Sequence, residues 1–375
     1  MKQPFEEKNL RKLRILVAPL DWGLGHATRC IPIIQHLLKA DVEVWLAGEG
    51  AQEKLLADEF PDLPFLSLHG YRIRYARSAI GLVKNILFQA PKIVKAIRNE
   101  NKWLAKMIDE HHFDAVISDN RYGLYHQNTP CIFITHQLKI KSPLGKWTER
   151  ILQKRNYKYI NQFTECWVPD IDDEYGLAGE LSHPFKKPVI PIHYIGWLSR
   201  LNTVSVNIIN ETKDHLLIIL SGPEPQRSLL EDKIIKEIAN YRGTATIVRG
   251  LPTSPSLIPS TSMIHFYNHL PAEELNKEMQ KAEYIISRSG YSTIMDIIKL
   301  KKKSILIPTP GQTEQEYLAD HLSQKQIAVC MNQKGFSIEN GLQKAQQFPY
   351  MFPEDNDEKL LDKAITGLII LTKKD

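Results

Sequence analysis

Residues 287–317, SRSGYSTIMDIIKLKKKSILIPTPGQTEQEY, hold a glycine turn, a helix start, a buried-strand run and a polar elbow in one stretch. The preceding YIIS reads as a short apolar strand, and Gly290 breaks it where Ser292 and Thr293 can cap the following helix. Backbone N–H groups left free at such a start attract a diphosphate, and the helix dipole adds to them. Asp296 stands about one helical turn further on, placed to offer a carboxylate to a ribose hydroxyl. The next apolar run, SILIP, ends in TPGQTEQE, whose Gln312, Gln315 and Glu316 can reach the hydroxyls of a sugar beyond the phosphates. These spacings together describe a nucleotide-sugar site. For the glycine turn alone, an ordinary strand-turn-helix unit is the plainer alternative.

A second candidate lies near the start of the chain. RILVAP reads as a strand and is followed by LDWGLGHATRCIPIIQHLLKA, in which Gly23 and Gly25 permit a tight turn before a helix. Pro32 is expected in the first turns of that helix, where it is tolerated. His26 then stands at a helix start, whose positive end disfavours the imidazolium and keeps a neutral ring available as a base. A helix-capping histidine is the alternative.

The elements that must position these residues alternate along the whole chain. RILVAPL, VEVWLAG, FDAVISD, CIFITHQ and ECWVPD read as strands in the first half, with helices over 53–60 and 80–110, the latter bent or divided at Pro91. HLLIILSG, TATIVRG, MIHFYNHL, EYIISRSG and KSILIPTP repeat the pattern in the second half. Such alternation predicts an α/β fold with two Rossmann-like domains, each a parallel sheet covered on both faces. At 375 residues the chain is long enough for both. The expected boundaries are 1–185, a proline-rich crossover at 186–200, 201–355, and a terminal helix over 356–375. Ligands of open parallel sheets bind beyond the carboxyl ends of the strands, so two facing sheets would share one cleft.

The 287–317 block resembles the donor-binding region of GT-B glycosyltransferases of family 28. In that family an SRAG turn, an acidic ribose ligand and a Gln pair surround a UDP-sugar. The resemblance puts Arg288, Ser289 and Gly290 at the turn, Asp296 at the acidic position, and Gln315 with Glu316 at the pair. GLGH is similar to the family's GGTGGH loop, which faces acceptor and donor phosphates. The family's glycine-rich GGSQG loop corresponds to LSGPEPQR, where only Gly222 is kept and Ser221 and Arg227 are expected to compensate through their side chains. SDNRYG and ITHQLKI correspond to acceptor-associated loops, which implies acceptor-side roles for Asn120, Arg121, His136 and Gln137. Arg121 is either an acceptor-phosphate ligand or a salt-bridged surface arginine. The resemblance implies a GT-B fold and an inverting transfer from a UDP-linked sugar, such as UDP-N-acetylglucosamine, to a glycan or lipid-linked acceptor hydroxyl. His26 would be its base or a phosphate-orienting donor. A 2-epimerase of the same fold and a non-catalytic sugar-nucleotide-binding subunit are the competing readings.

Composition is that of an ordinary globular protein, with 43% hydrophobic and 24% charged residues. The net charge of +5 comes with no nucleic-acid-binding motif, so no nucleic-acid partner is expected. Residues 63–99 lack any acid but carry Arg72, Arg74, Arg77, Lys84, Lys92, Lys95 and Arg98. Such a stripe suits either an anionic membrane surface or plain solvation. No apolar run is long enough to span a bilayer and no secretory segment is visible, which predicts a cytoplasmic protein, peripheral to the membrane if the stripe binds lipid. Four scattered cysteines argue against a disulfide framework or zinc site. Asp170, Asp172 and Asp173 form a DxD-like run that is read as an acidic turn, so no metal or other cofactor is expected.

Overall fold

The computed structural model describes residues 11–71, 79–201, 211–354 and 358–373, with backbone only for 79–90 and 358. Arg72, Arg74 and Arg77 of the basic stretch lie outside the described residues, and so does the Lys84 side chain. The first half runs β1 (Arg14–Pro19), α1 (Leu24–Lys39), β2 (Glu43–Gly48), α2 (Ala51–Glu59), β3 (Phe65–Ser67), α3 (Ala79–His111), β4 (Ala115–Asp119), β5 (Cys131–Ile134), α4 (Lys146–Ile160), β6 (Glu165–Val168) and β7 (Ile192–Tyr194). The second half runs β8 (His215–Ile219), α5 (Gln226–Ile238), β9 (Thr244–Val248), β10 (Ile264–Tyr267), α6 (Ala272–Lys281), β11 (Tyr284–Ser287), α7 (Tyr291–Lys299), β12 (Ser304–Leu306), α8 (Thr313–Gln324), β13 (Val329–Cys330), α9 (Ile338–Gln347) and α10 (Glu358–Thr372).

The strands form two sheets, one of seven strands in the order β3-β2-β1-β4-β5-β6-β7 and one of six in the order β10-β9-β8-β11-β12-β13. Every pairing is parallel. Successive residues of β1 take opposite faces, Ile15 and Val17 entering one core while Leu16 and Ala18 enter another. A strand covered on both sides needs apolar residues at consecutive positions, which explains the unbroken runs in the sequence. The core that receives Ile15 and Val17 also contains Ile285 and Leu306 of the second sheet and Leu361, Ile365 and Leu368 of α10. In this way α10 lies back on α1, with His36 Nε2 3.5 Å from Asp362.

Two local expectations are corrected. Of the two alternatives at Pro91, bending or dividing the helix, division is ruled out, since α3 runs through it as one element. Pro32 lies eight residues beyond Leu24, in the interior of α1 rather than its first turns, because the helix begins directly at the glycine turn.

Candidate active site

The turn before α1 needs Gly23, whose φ of 79° is left-handed, and no side chain caps the helix that follows. Gly25 faces the start of α7 so closely that a Cβ there would sit 3.0 Å from Ser292 Oγ. Ser292 Oγ donates to the Gly25 carbonyl at 2.8 Å. The two helix starts that the sequence singled out therefore touch, one from each sheet. Ser292 is occupied by this contact and does not cap α7, which starts after Gly290 without a side-chain cap. The expected capping by Ser292 and Thr293 is thus replaced by a bridge from Ser292 to α1.

Around His26 the chain builds a charge network that ties β4 to both helix starts. Asp119 is the last residue of β4 and pairs in register with Pro19, which brings its carboxylate under the first turn of α1. His26 Nδ1 lies 3.2 Å from Asp119 Oδ1. Arg29, one turn further along α1, donates from Nε to Asp119 Oδ2 at 2.7 Å and from Nη2 to Oδ1. Burial pushes the Asp119 carboxyl up, but Arg29 and His26 outweigh it and hold the group well below the usual carboxylate range. Burial lowers the His26 imidazole below its ordinary 6.5, with Asp119 opposing, so the ring is neutral at pH 7. Arg29 Nη2 also stands 3.0 Å from His26 Nδ1. A carboxylate is the stronger acceptor, so Arg29 serves Asp119, the Nδ1 proton points to Asp119, and Nε2 carries the free lone pair.

The network continues across the cleft. Arg29 Nη1 lies 3.2 Å from His136 Nδ1, and His136 Nε2 lies 2.7 Å from Glu314 Oε1 in the first turn of α8. The His136 ring stacks on Tyr291 at 4.2 Å, 10° from parallel. Burial favours neutral Glu314, but His136 outweighs this and lowers its pKa. His26, His136, Gly25 and Ser292 thus share one locus. Arg29, Asp119, Tyr291 and Glu314 also belong to it, although sequence reasoning missed them. The signals present were an arginine one turn beyond His26 and an acid ending the VISD strand.

Other expected donor residues are committed elsewhere. Arg288 is fully buried and donates to the carbonyls of Ile307, Pro308 and Gln226, clamping the strand ends. Burial lowers its pKa to about 10. Arg227 donates to Glu224, Glu231 and Ser228, which hold it against the start of α5. Gln315 Oε1 accepts from the Thr309 N–H at 2.9 Å and Glu316 Oε1 from the Gly311 N–H at 3.0 Å, so both hold the 309–311 turn rather than reach for a sugar. Ser289 Oγ donates to the Gln315 carbonyl. Gln312 immediately precedes α8 and does not cap it. Ser221 and Gly222 end the β8 loop, with Gly222 at φ 98° and its Cβ position 3.5 Å from Thr309 Oγ1. Asp296 is buried, accepts from Ser199 Oγ at 2.6 Å and senses Arg200. Its pKa is raised to about 6, because burial outweighs Arg200 and Ser199.

On the acceptor side Asn120 adopts φ 57° just after β4, and its N–H donates to the Ile134 carbonyl. Arg121 is salt-bridged but not on the surface: it is fully buried and donates to the carbonyls of Pro19 and His69 and to Glu100. Gln137 accepts at its carbonyl from Asn156 of α4. Asp170 accepts from the N–H groups of Ile171, Leu177 and Ala178, from Ser182 Oγ and from Trp197 Nε1, and so fastens the turn that the sequence suggested. Among the described residues no group of three His, Cys, Asp or Glu side chains is arranged to hold a metal ion.

Two parallel-sheet α/β domains, with this locus between their strand ends, have the architecture of the GT-B fold. Residues 263–364 match the model of the glycosyltransferase family 28 C-terminal domain. The chain is 23% identical over 331 residues to an uncharacterized glycosyltransferase of Methanosarcina acetivorans, covering 81% of this chain and 82% of that one. It is 21% identical over 332 residues, 84% of each chain, to the UDP-N-acetylglucosamine–N-acetylmuramyl-(pentapeptide) pyrophosphoryl-undecaprenol N-acetylglucosamine transferase of Buchnera aphidicola subsp. Schizaphis graminum. The crystal structure of the glycosyltransferase SnogD from Streptomyces nogalater superposes with a TM-score of 0.57 at 14% identity, over 96% of this chain and all of that one. The match over 263–364 and the relatives over most of the chain make it similar to glycosyltransferases, with a C-terminal part similar to that of family 28.

Proposed function

We propose that the protein transfers a sugar from a UDP-linked donor, such as UDP-N-acetylglucosamine, to a hydroxyl of a glycan or lipid-linked acceptor, with inversion and without a metal ion. The observation that carries this reading is the neutral His26, oriented by Asp119 and lying where the starts of α1 and α7 meet. Its Nε2 takes the acceptor hydroxyl proton as the oxygen attacks the anomeric carbon. The bond from that carbon to the diphosphate oxygen breaks on the opposite face, and nucleoside diphosphate leaves. Asp119 stabilises the imidazolium that forms, while Arg29 keeps Asp119 ionised and in place. The uncapped start of α7 is the group assigned to the departing diphosphate. The name of the Buchnera relative supports the UDP-N-acetylglucosamine assignment, and the family match favours transfer over 2-epimerisation or a non-catalytic binding subunit. Acceptor-dependent release of UDP, with the product's anomeric configuration read by NMR, tests the reading. Transfer should persist after exhaustive chelation. Retention of configuration, or activity lost to EDTA and restored by magnesium or manganese, would overturn the corresponding element.

A further inference from the structure

We propose that Trp22 is a stacking platform for a neutral pyranose ring, held in place by a buried triad of Tyr71, Glu100 and Arg121 outside the His26 network. That this ring belongs to the acceptor rests on the proposed transferase reading, whereas its binding at Trp22 does not. Trp22 lies between β1 and α1, four residues before His26, at the carboxyl end of a strand where open parallel sheets take their ligands. Its indole is 39% exposed, yet the loop that carries it is fixed on both sides. Gln52 of α2 donates from Nε2 to the Leu20 carbonyl and, at 2.9 Å, to the Gly23 carbonyl. Tyr71 packs on the indole with centroids 6.4 Å apart and planes at 77°, and its N–H donates to Asp21 Oδ1 at 3.0 Å. A Cβ at Gly70 would collide with the Asp21 carboxyl group, so only glycine lets the two segments lie this close.

The triad fixes the Tyr71 ring. Its hydroxyl donates to Glu100 Oε2 at 2.7 Å and accepts from the Tyr122 N–H at 2.9 Å. Arg121 Nη1 donates to Glu100 Oε1 at 2.8 Å and the Gly123 N–H to Oε2 at 3.1 Å, and both charged side chains are buried. An indole set against such a support has little freedom left to lose on binding. The groups around Gly70 select the occupant. Glu49 accepts from the Gly70 N–H at 2.9 Å, and its carboxylate with that of Asp21 disfavours a phosphate or other anion. The His69 side chain, 82% exposed, has Nδ1 3.0 Å from Glu49. A hydrocarbon chain would desolvate these groups without satisfying them. A pyranose offers a face of C–H groups to the indole and a rim of hydroxyls to carboxylate and imidazole, so it answers both.

The test is calorimetric titration of the full chain, without donor, with chitobiose, cellobiose, maltose and lactose. At least one should bind. Trp22→Leu, apolar but not planar, should weaken that binding at least about fivefold, while Trp22→Phe stays within about threefold of wild type. Tyr71→Phe cuts the tie to Glu100 and should weaken it about twofold to threefold in wild type, with no further loss in Trp22→Leu. Equal losses in both backgrounds would separate the triad from the platform. Saccharide affinity indifferent to Trp22→Leu, or no binding of any of the four, would overturn the proposal. Binding of 1-octanol or glycerol phosphate in their place, abolished by Trp22→Leu, would do so too, by assigning the indole to a hydrocarbon chain or an anion. Because no donor is present, Trp22-dependent saccharide binding without acceptor-dependent UDP release would sink the transferase reading alone. UDP release with an acceptor KM indifferent to Trp22→Leu would sink the platform alone.

Discussion

His136 Nε2 and Glu314 Oε1 meet at 2.7 Å across the cleft, and the same imidazole stacks on Tyr291 and touches Arg29. One ring thereby contacts α7 and α8 of the second half and the network that orients His26 in the first. If transfer runs as proposed, this ring couples the groups around the start of α7 to the base, so its loss would disturb their alignment.

His136→Ala should therefore lower kcat/KM by about tenfold or more while leaving the fold intact, because the pair sits at the seam rather than inside either sheet. Steady-state kinetics with a circular-dichroism control checks this. Unchanged kinetics would reduce the pair to a passive contact.

Asp296 yields a prediction with a definite sign. Its pKa, raised from 3.8 to about 6, means that the folded protein binds more protons there than the unfolded chain. Stability is thus lost as pH rises between those values, and the cost is fully present at pH 7. Asp296→Asn should raise stability at pH 7 by roughly 1–3 kcal/mol, a gain that vanishes near pH 4. If the carboxylate also binds ribose, the same variant should weaken donor binding by roughly 1–3 kcal/mol in calorimetry. A thermal midpoint independent of the substitution at both pH values would contradict the burial argument.

Arg288→Ala should act on stability rather than on donor chemistry. It strands the carbonyls of Ile307, Pro308 and Gln226, and an unsatisfied buried polar group costs roughly 1–3 kcal/mol. Denaturant unfolding measures the loss. A fully stable variant with abolished donor binding would return Arg288 to the phosphate site.

The strands were legible where consecutive apolar residues had to fill two cores, as in RILVAP and YIIS. The edge strands β3, β7 and β13 are only two or three residues long, too short to show a period. Gly23, Gly25 and His26 were legible because a left-handed turn before a helix leaves a local trace. Asp119 was not, since it stands 93 positions from His26 and meets it only because β1 and β4 lie side by side. In GQTEQE the polar residues were visible but their phase was not. Helix α8 starts at Thr313, so Glu314 meets His136 while Gln315 and Glu316 turn back to the 309–311 loop. Arg121, Arg227 and Arg288 were legible as charges, but sequence carries no measure of burial.

The most direct measurement of the central claim is turnover and donor affinity on one folded protein, His26→Ala. Losing a general base costs about a hundredfold to ten-thousandfold in rate. The account predicts a fall of that size in acceptor-dependent UDP release, with donor affinity within a few-fold of wild type. In wild type, kcat/KM should fall on the acid side with a midpoint below 6.5, since burial lowers the His26 pKa and the neutral ring is the active form. Near-normal turnover by His26→Ala would contradict the claim, and so would loss of donor binding as the sole defect.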